Sequence, residues 1–277
     1  MVVALMATVL SAKAEVEFAY EAGADIVSAY LWRGQYNGGL SFQPDLEIGY
    51  DGEHTAFRFG AWGTVGASDW KFQKGLPTYM DGDSEVNPNT YFVPEVDIFA
   101  NFSFFGVTVG ATHYYFFGGD PFFAPLEGSG SQTEVQAGYN FIHFFGDKAG
   151  AYINWYTMVA GADANYDDAG VAHRAFSSYL ELGYDYTFEN QGLTLGAQIG
   201  MSPWESPVYG NSKFAVTNIA LKLNKEWEFD AVTLDLYALG SINPDGIDNS
   251  NVYVNAAGDE KICVQKLNGT IGLGIWF

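Results

Sequence analysis

The sequence predicts an all-β protein: an antiparallel, up-and-down transmembrane β-barrel of about twelve strands. Three features predict it. Polar and apolar side chains alternate with a period of two along many successive stretches. Short turns alternate with long Gly-, Asp- and Pro-rich loops. The final stretch ends on Gly274-Ile275-Trp276-Phe277, an aromatic end suited to closing a last strand against the first.

The elements follow in order. Residues 2–10 are a short apolar run, and Ala12-Lys13-Ala14 is a small-x-small cleavage site. Residues 1–14 are therefore expected to be a secretory signal peptide, and 15–277 the barrel. Strands are expected near 16–32, 39–50, 55–65, 94–104, 107–117, 132–145, 149–160, 176–188, 193–203, 213–227, 231–242 and 262–277. The pattern is cleanest at 178–188. There Leu180, Leu182, Tyr184, Tyr186 and Phe188 oppose Tyr179, Glu181, Gly183, Asp185 and Thr187.

Short turns fall near residues 51–53, 105–106, 146–148, 190–192 and 228–230. Long loops fall near 66–93, 118–131, 161–175, 204–212 and 243–261. Short inner turns and long outer loops are the layout of outer-membrane barrels, and an even strand count puts both ends on the periplasmic side. The barrel-assembly machinery is then the expected folding partner, and loss of Phe277 is expected to block assembly.

The lipid-facing parity carries little charge. Lys225 is its clear exception, placed where its stem can reach the interface. Aromatics gather at strand ends and are expected to form two interfacial girdles. Tyr50, Phe57, Phe104, Phe105, Phe144, Phe145, Tyr186, Phe188, Trp227 and Trp276 lie at the inner end. Tyr30, Trp32, Phe116, Phe117 and Trp204 lie at the outer end. Pro44 falls within a strand and lacks the N–H for a ladder bond, so a bulge is expected there.

Charge excludes some function classes. The chain has 12 Lys+Arg against 33 Asp+Glu, a net charge of −21, which disfavours nucleic acid. Aromatics at 17% separate it from acidic disordered chains. The lone Cys263 permits no internal disulfide.

Ser28-Ala29-Tyr30-Leu31-Trp32-Arg33-Gly34 resembles the S-x-Y-x-[FW]-R-G signature of Gcw_chp-type outer-membrane barrels, a family of unknown function with relatives in Bacteroidetes. Phe59–Gly63, Glu95-Val96-Asp97, His113–Phe116 and Phe214–Asn218 look like further landmarks. The resemblance implies the fold and the outer membrane. It brings no catalytic residue, substrate or cofactor.

Parity alone places eleven acids in the lumen: Glu17, Glu21, Asp25, Asp45, Glu47, Glu95, Asp97, Glu134, Glu181, Asp185 and Asp235. Four bases join them: Arg33, Arg58, Lys222 and Lys266. Arg58 is expected opposite Glu47, and Lys222 diagonal to Asp235. Asp45, Glu47, Arg58, Asp97, Glu134, Glu181, Asp185, Lys222, Asp235 and Lys266 form the candidate pore lining. Two readings stand. One is a narrow porin-like channel for cations or small polar solutes. The other is a non-conducting barrel that binds at the surface or partners other envelope proteins.

A twelve-strand barrel has a backbone diameter of roughly 24 Å, wide enough to leave a passage or to be filled. Inward Trp62, Phe99, Tyr114, Tyr152, Tyr156, Tyr179 and Tyr237 suit filling, or a stacking track for sugars or nucleosides. The 66–93 loop is long enough to fold inward or to meet a partner.

Catalysis lacks its residues. No His is followed two places on by Ser, as in outer-membrane phospholipases. Asp81-Gly82-Asp83 has no matching Asp-x-His, as aspartyl-type outer-membrane proteases require. His113 and His143 read as interfacial or hydrogen-bonded histidines. No cofactor is expected. Membrane lipid and lipopolysaccharide are the expected surroundings. Divalent cations would meet the acidic outer loops at Asp81–Glu85, Asp163 with Asp167-Asp168, and Asp245 with Asp248.

Overall fold

The computed structural model describes residues 17–66, 79–81, 84–86, 94–117, 121–128, 131–142, 149–245 and 267–277. Residues 1–16, where the signal peptide is expected, Lys266, His143, Phe144, Phe145, Cys263 and most of the 66–93 loop lie outside the described residues.

Twelve antiparallel strands close into one barrel. They are β1 (Glu17–Val27), β4 (Ser41–Asp51), β5 (Thr55–Gly66), β8 (Glu95–Phe104), β9 (Val107–Phe116) and β10 (Ser131–Asn140). Then come β11 (Ala149–Gly161), β14 (Ser178–Phe188), β15 (Leu193–Ser202), β16 (Ala215–Phe229), β17 (Val232–Ile242) and β18 (Leu267–Trp276). Three two-stranded hairpins sit in the loops: β2 (Tyr30–Trp32) with β3 (Gln35–Gly38), β6 (Tyr79–Asp81) with β7 (Ser84–Val86), and β12 (Ala164–Tyr166) with β13 (Ala172–Arg174).

Closure comes from β1 against β18, in register from Gly23↔Trp276 to Val27↔Gly272. Phe277 N–H donates to the Ala22 carbonyl at 2.9 Å, extending that seam. A closed ladder satisfies backbone polar groups without water, the condition for crossing lipid. The outward parity supplies the matching surface. Phe18, Leu46, Phe59, Val109, Leu182, Leu221, Leu236 and Leu273 are all exposed on it. This chain is a β-barrel of the outer-membrane type.

The core is inside the barrel, at the end bearing the long loops. Tyr179 and Met158 are fully buried there, with Glu134, Asn218 and Ser202. Glycine lets a ring lie against the wall: a Cβ on Gly200 would collide with the Tyr179 hydroxyl.

The structure corrects three expectations. First, the first strand ends at Val27, and residues 28–38 leave the wall as the β2–β3 hairpin. Tyr30 and Trp32 therefore face Trp62 and Tyr114 inside the barrel, not an outer girdle. Second, Trp276 lies on the lumen parity, where its ring covers Gly23. Third, Pro44 makes no bulge. The β4–β5 pairs stop at Phe42↔Val65 and resume at Asp45↔Trp62 in the same register. A missing N–H removes a rung, and the strand passes it without an extra residue. Register shifts fall instead at Thr133/Glu134 and Gly200/Met201, both beside the buried core.

Candidate functional site

The site begins with one turn. Trp32 pairs with Gln35, so Arg33 and Gly34 are the two central residues of a tight hairpin. Their φ values are 49° and 81°, both left-handed. Such turns favour Asn-Gly or Gly-Gly, and a long side chain in the first position is strained. The side chain of Arg33 accounts for its presence.

Arg33 crosses the lumen. Its hairpin leaves from β1, and its guanidinium lies 3.8 Å from the ring centroid of Tyr156 on β11. In the ring of twelve, β11 is six places from β1, the opposite wall. The guanidinium donates two hydrogen bonds to Glu134 of β10, at 2.6 and 2.7 Å, and a third to the Tyr209 hydroxyl at 2.6 Å. Side-chain exposure is 11% for Arg33 and 2% for Glu134, so this is a buried, bidentate ion pair.

Aromatic rings enclose it. Trp32 stacks on Tyr209 with an interplanar angle of 8°, and Tyr209 stacks on Tyr179. Trp32 also meets Tyr114 edge-on, and the Tyr114 hydroxyl donates to Glu134 at 3.1 Å. Elsewhere the hairpin is tied to three further strands. Asn268 of β18 donates to the Gly34 carbonyl at 2.8 Å. Ser28 bonds to Thr270, and Tyr30 packs on Trp62 of β5. Gly34 lies so close to β16 that a Cβ there would collide with the Thr217 carbonyl oxygen. The loop-end half of the lumen is thereby occupied by the chain's own first outer hairpin.

The turn-end half differs. A cavity of about 790 Å³ opens there, lined by Glu21, Lys222, Asn224, Glu226, Asp235 and Trp276 among others. Acids face acids across its wall. Glu21 is the register partner of Glu47, and Asp235 of Glu226. Like charges directly opposite on a sheet destabilise it, so this placement works against the fold. Asp25 and Asp235 flank Gly274 from either side, each with a carboxylate oxygen lacking a hydrogen-bond partner.

The sequence-predicted lining divides between these halves. Asp45, Glu47, Arg58, Asp185, Lys222 and Asp235 lie on the lumen parity of the turn-end half. Arg58 is chiefly bonded to Asp51, at 2.8 and 2.9 Å, with Glu47 more distant at 3.9 Å. Lys222 pairs in register with Leu239, and Asp235 with Glu226. No Lys222–Asp235 ion pair is present among the described residues, because the register sets them too far along the strands.

Glu134 is enclosed by Arg33, and Asp97 is buried beneath the hairpin. Glu181 accepts from Tyr179 and Gln198. Lys266 lies outside the described residues. Tyr114, Tyr156 and Tyr179 are inward as expected, packed on Arg33 or Trp32 and not arrayed along a passage.

Sequence reasoning missed two contributors. Tyr209 sits in the loop before β16 and folds inward, its N–H bonded to Ser206. The hairpin tip was missed because the alternation before Arg33 runs on smoothly from β1. The signal for it was the Arg33-Gly34 pair between two short aromatic stretches.

On the exterior, His113 bonds to Thr133 and to the Phe122 carbonyl, both at 2.9 Å. Lys225 reaches the Gln191 carbonyl and sits over Trp227, at the turn end. Three outer-loop acids hold their own backbone. Asp163 accepts from Ser177 N–H, and Asp245 from Val216 N–H. Asp167 accepts from Ala169 and Val171 N–H and lies 3.1 Å from His173. These bonds hold the Asp167 carboxyl below its ordinary value.

No family model and no curated protein matches the chain. Among solved structures it is similar to an outer-membrane channel from Pseudomonas putida F1, at 12% identity, 95% of this chain, 94% of that chain and a TM-score of 0.47. It is also similar to the NanC porin, at 11% identity, 94% and 99% coverage and a TM-score of 0.46. An anion-selective porin from Comamonas acidovorans follows at 9% identity, 95% and 99% coverage and a TM-score of 0.38. The barrel assignment rests on the strand register and the apolar exterior, not on these likenesses.

Proposed function

We propose that this protein is a narrow outer-membrane channel with a preference for cations and small polar solutes, constricted by its own first outer hairpin. The observation that carries the cation preference is the acidic wall of the turn-end half. Glu21 faces Glu47, Glu226 faces Asp235, and Lys222 is the one base lining the cavity among the described residues. Repulsion of this kind is relieved by counter-charge, and a cleft walled by one sign of charge concentrates ions of the other sign. The hairpin sets the size limit. Its resemblance-bearing motif, Ser28–Gly34, is the segment that crosses the lumen.

A second reading has its own observation. The hairpin is tied to β5, β10, β16 and β18 at once, which favours a barrel that does not conduct and serves by its surface.

Planar-bilayer recording separates the two. The channel reading expects small, cation-selective currents whose reversal potential weakens with salt. Replacing Glu21, Asp45 and Asp235 together by Gln, Asn and Asn is expected to bring the reversal potential close to zero with the barrel still folded. Anion selectivity, or unchanged selectivity in that variant, defeats the cation reading. Absence of current at any voltage favours the second reading.

A further inference from the structure

Beneath the hairpin, on β8, lie two carboxyl groups with no basic partner among the described residues. Glu95 and Asp97 stand two residues apart on β8 and face the lumen, at 3% and 8% exposure. Their side chains are neighbours on one face of the strand, and Tyr30 of the hairpin stands beside Glu95. Among the described residues neither forms an ion pair; Arg33 is taken up by Glu134, and Arg58 by Asp51 and Glu47.

A second, independent group points at the same place. Thr64 of β5 is the register partner of Glu95 and is 1% exposed. Its hydroxyl is buried without a hydrogen-bond partner, and so is one oxygen of Asp97. Burying charged carboxylates or a lone hydroxyl without compensation costs several kcal/mol by general estimate, so something must meet these oxygens.

We propose that Glu95, Asp97 and the Thr64 hydroxyl bind one divalent cation of the Ca²⁺ type, and that the cation secures the hairpin through Tyr30. All the donors are oxygens, which suits a hard cation, and two carboxylates neutralise a divalent ion. No group of three or more His, Cys, Asp or Glu converges among the described residues. The coordination shell is therefore completed by Thr64 and by water. Tyr30 stands beside Glu95, so that the cation, Glu95 and the hairpin form one connected unit. The site does not depend on whether the lumen conducts. It also differs in kind from Asp163, Asp167 and Asp245 of the outer loops, which are engaged by backbone N–H groups.

The test uses the whole refolded barrel in detergent, free of lipopolysaccharide and washed with chelator. Equilibrium dialysis with ⁴⁵Ca²⁺ counts bound ions, and thermal unfolding is followed with and without CaCl₂ or MgCl₂. The expected result is one Ca²⁺ per chain and a Ca²⁺-dependent rise in unfolding temperature. Both are lost in Asp97→Asn and Glu95→Gln, weakened in Thr64→Val, and kept in Asp167→Ala. Tyr30→Phe should keep the ion and lose part of the temperature rise.

Should Asp97→Asn not fold, Thr64→Val and Glu95→Gln carry the decision. Binding of no Ca²⁺ by the parent overturns the proposal. Equal binding in parent, Thr64→Val and Glu95→Gln overturns it as well. So does a parent whose stability responds to pH and not to Ca²⁺, which identifies a shared proton between the two carboxyls.

Discussion

The two halves of the lumen use the same residue types to opposite ends. At the loop end, Glu134 is enclosed and bonded twice to Arg33, with rings of Trp32, Tyr114, Tyr156, Tyr179 and Tyr209 around the pair. At the turn end, Glu21, Glu47, Glu226 and Asp235 face one another beside an open cavity. One half is built as a protein core is built, with polar groups satisfied inside. The other leaves Glu21 and Glu226 exposed, where repulsion is screened, while Asp25 and Asp235 each bury one oxygen without a partner. A carboxylate on the lumen parity is therefore not by that fact a pore-lining group; its partner decides what it does.

The sharpest way to break this contrast is to leave Arg33 unpaired. Glu134→Ala removes both oxygens that hold a buried guanidinium, and loss of one partner from such a pair costs about 3–5 kcal/mol. Urea unfolding of the barrel in detergent is expected to show that loss, and Glu134→Gln a smaller one. In contrast, Glu47→Gln at the turn end should be neutral or slightly stabilising, because it removes a repulsion with Glu21 and only a distant contact with Arg58, which Asp51 still holds. Equal costs at Glu134 and Glu47 would erase the distinction.

Gly34→Ala acts next in size. The residue sits at φ 81°, and the added methyl would collide with the Thr217 carbonyl oxygen, so the tip must shift. The left-handed backbone alone costs about 1–2 kcal/mol for a residue with a Cβ. A lower unfolding midpoint is expected, together with larger or noisier bilayer currents as the tip lifts from β16.

The smallest effect belongs to the outer surface. Asp167 has a depressed pKa in the folded chain, from the ordinary 3.8, chiefly through the Val171 N–H. Its contribution is present at neutral pH and is lost as pH falls through the depressed folded value. Amide protection at Ala169 and Val171, corrected for intrinsic exchange, should persist down to that point and vanish in Asp167→Ala at pH 7. The barrel's unfolding midpoint should not move.

The sequence carried the barrel because alternation, turn length and closure all arise from one constraint, a polar backbone in lipid. The pairs Leu182/Gly183 and Leu46/Glu47 show it: their outward and inward sides are as parity assigns them. Parity stops at the wall. It places Ser41 and Ser241 inward but does not say whether water or protein meets them. Small hydroxyl residues suit both, and here they leave room for a hairpin. The Arg33–Glu134 pair was equally hidden, since the partners are 101 positions apart and meet only across the lumen. The Ser28–Gly34 motif was visible, yet its aromatics read as an interfacial girdle because they follow a strand end.

The most direct measurement removes the hairpin and leaves the wall. Val27 and Ser41 are register partners, so a short Gly-containing turn can replace residues 28–40. Single-channel currents of this variant and of the parent, recorded in a KCl gradient, test the account. It predicts a several-fold larger conductance in the variant, with a reversal potential that remains cation-selective because the turn-end acids are unchanged. A folded variant with the parent's conductance, or with anion selectivity, would contradict it.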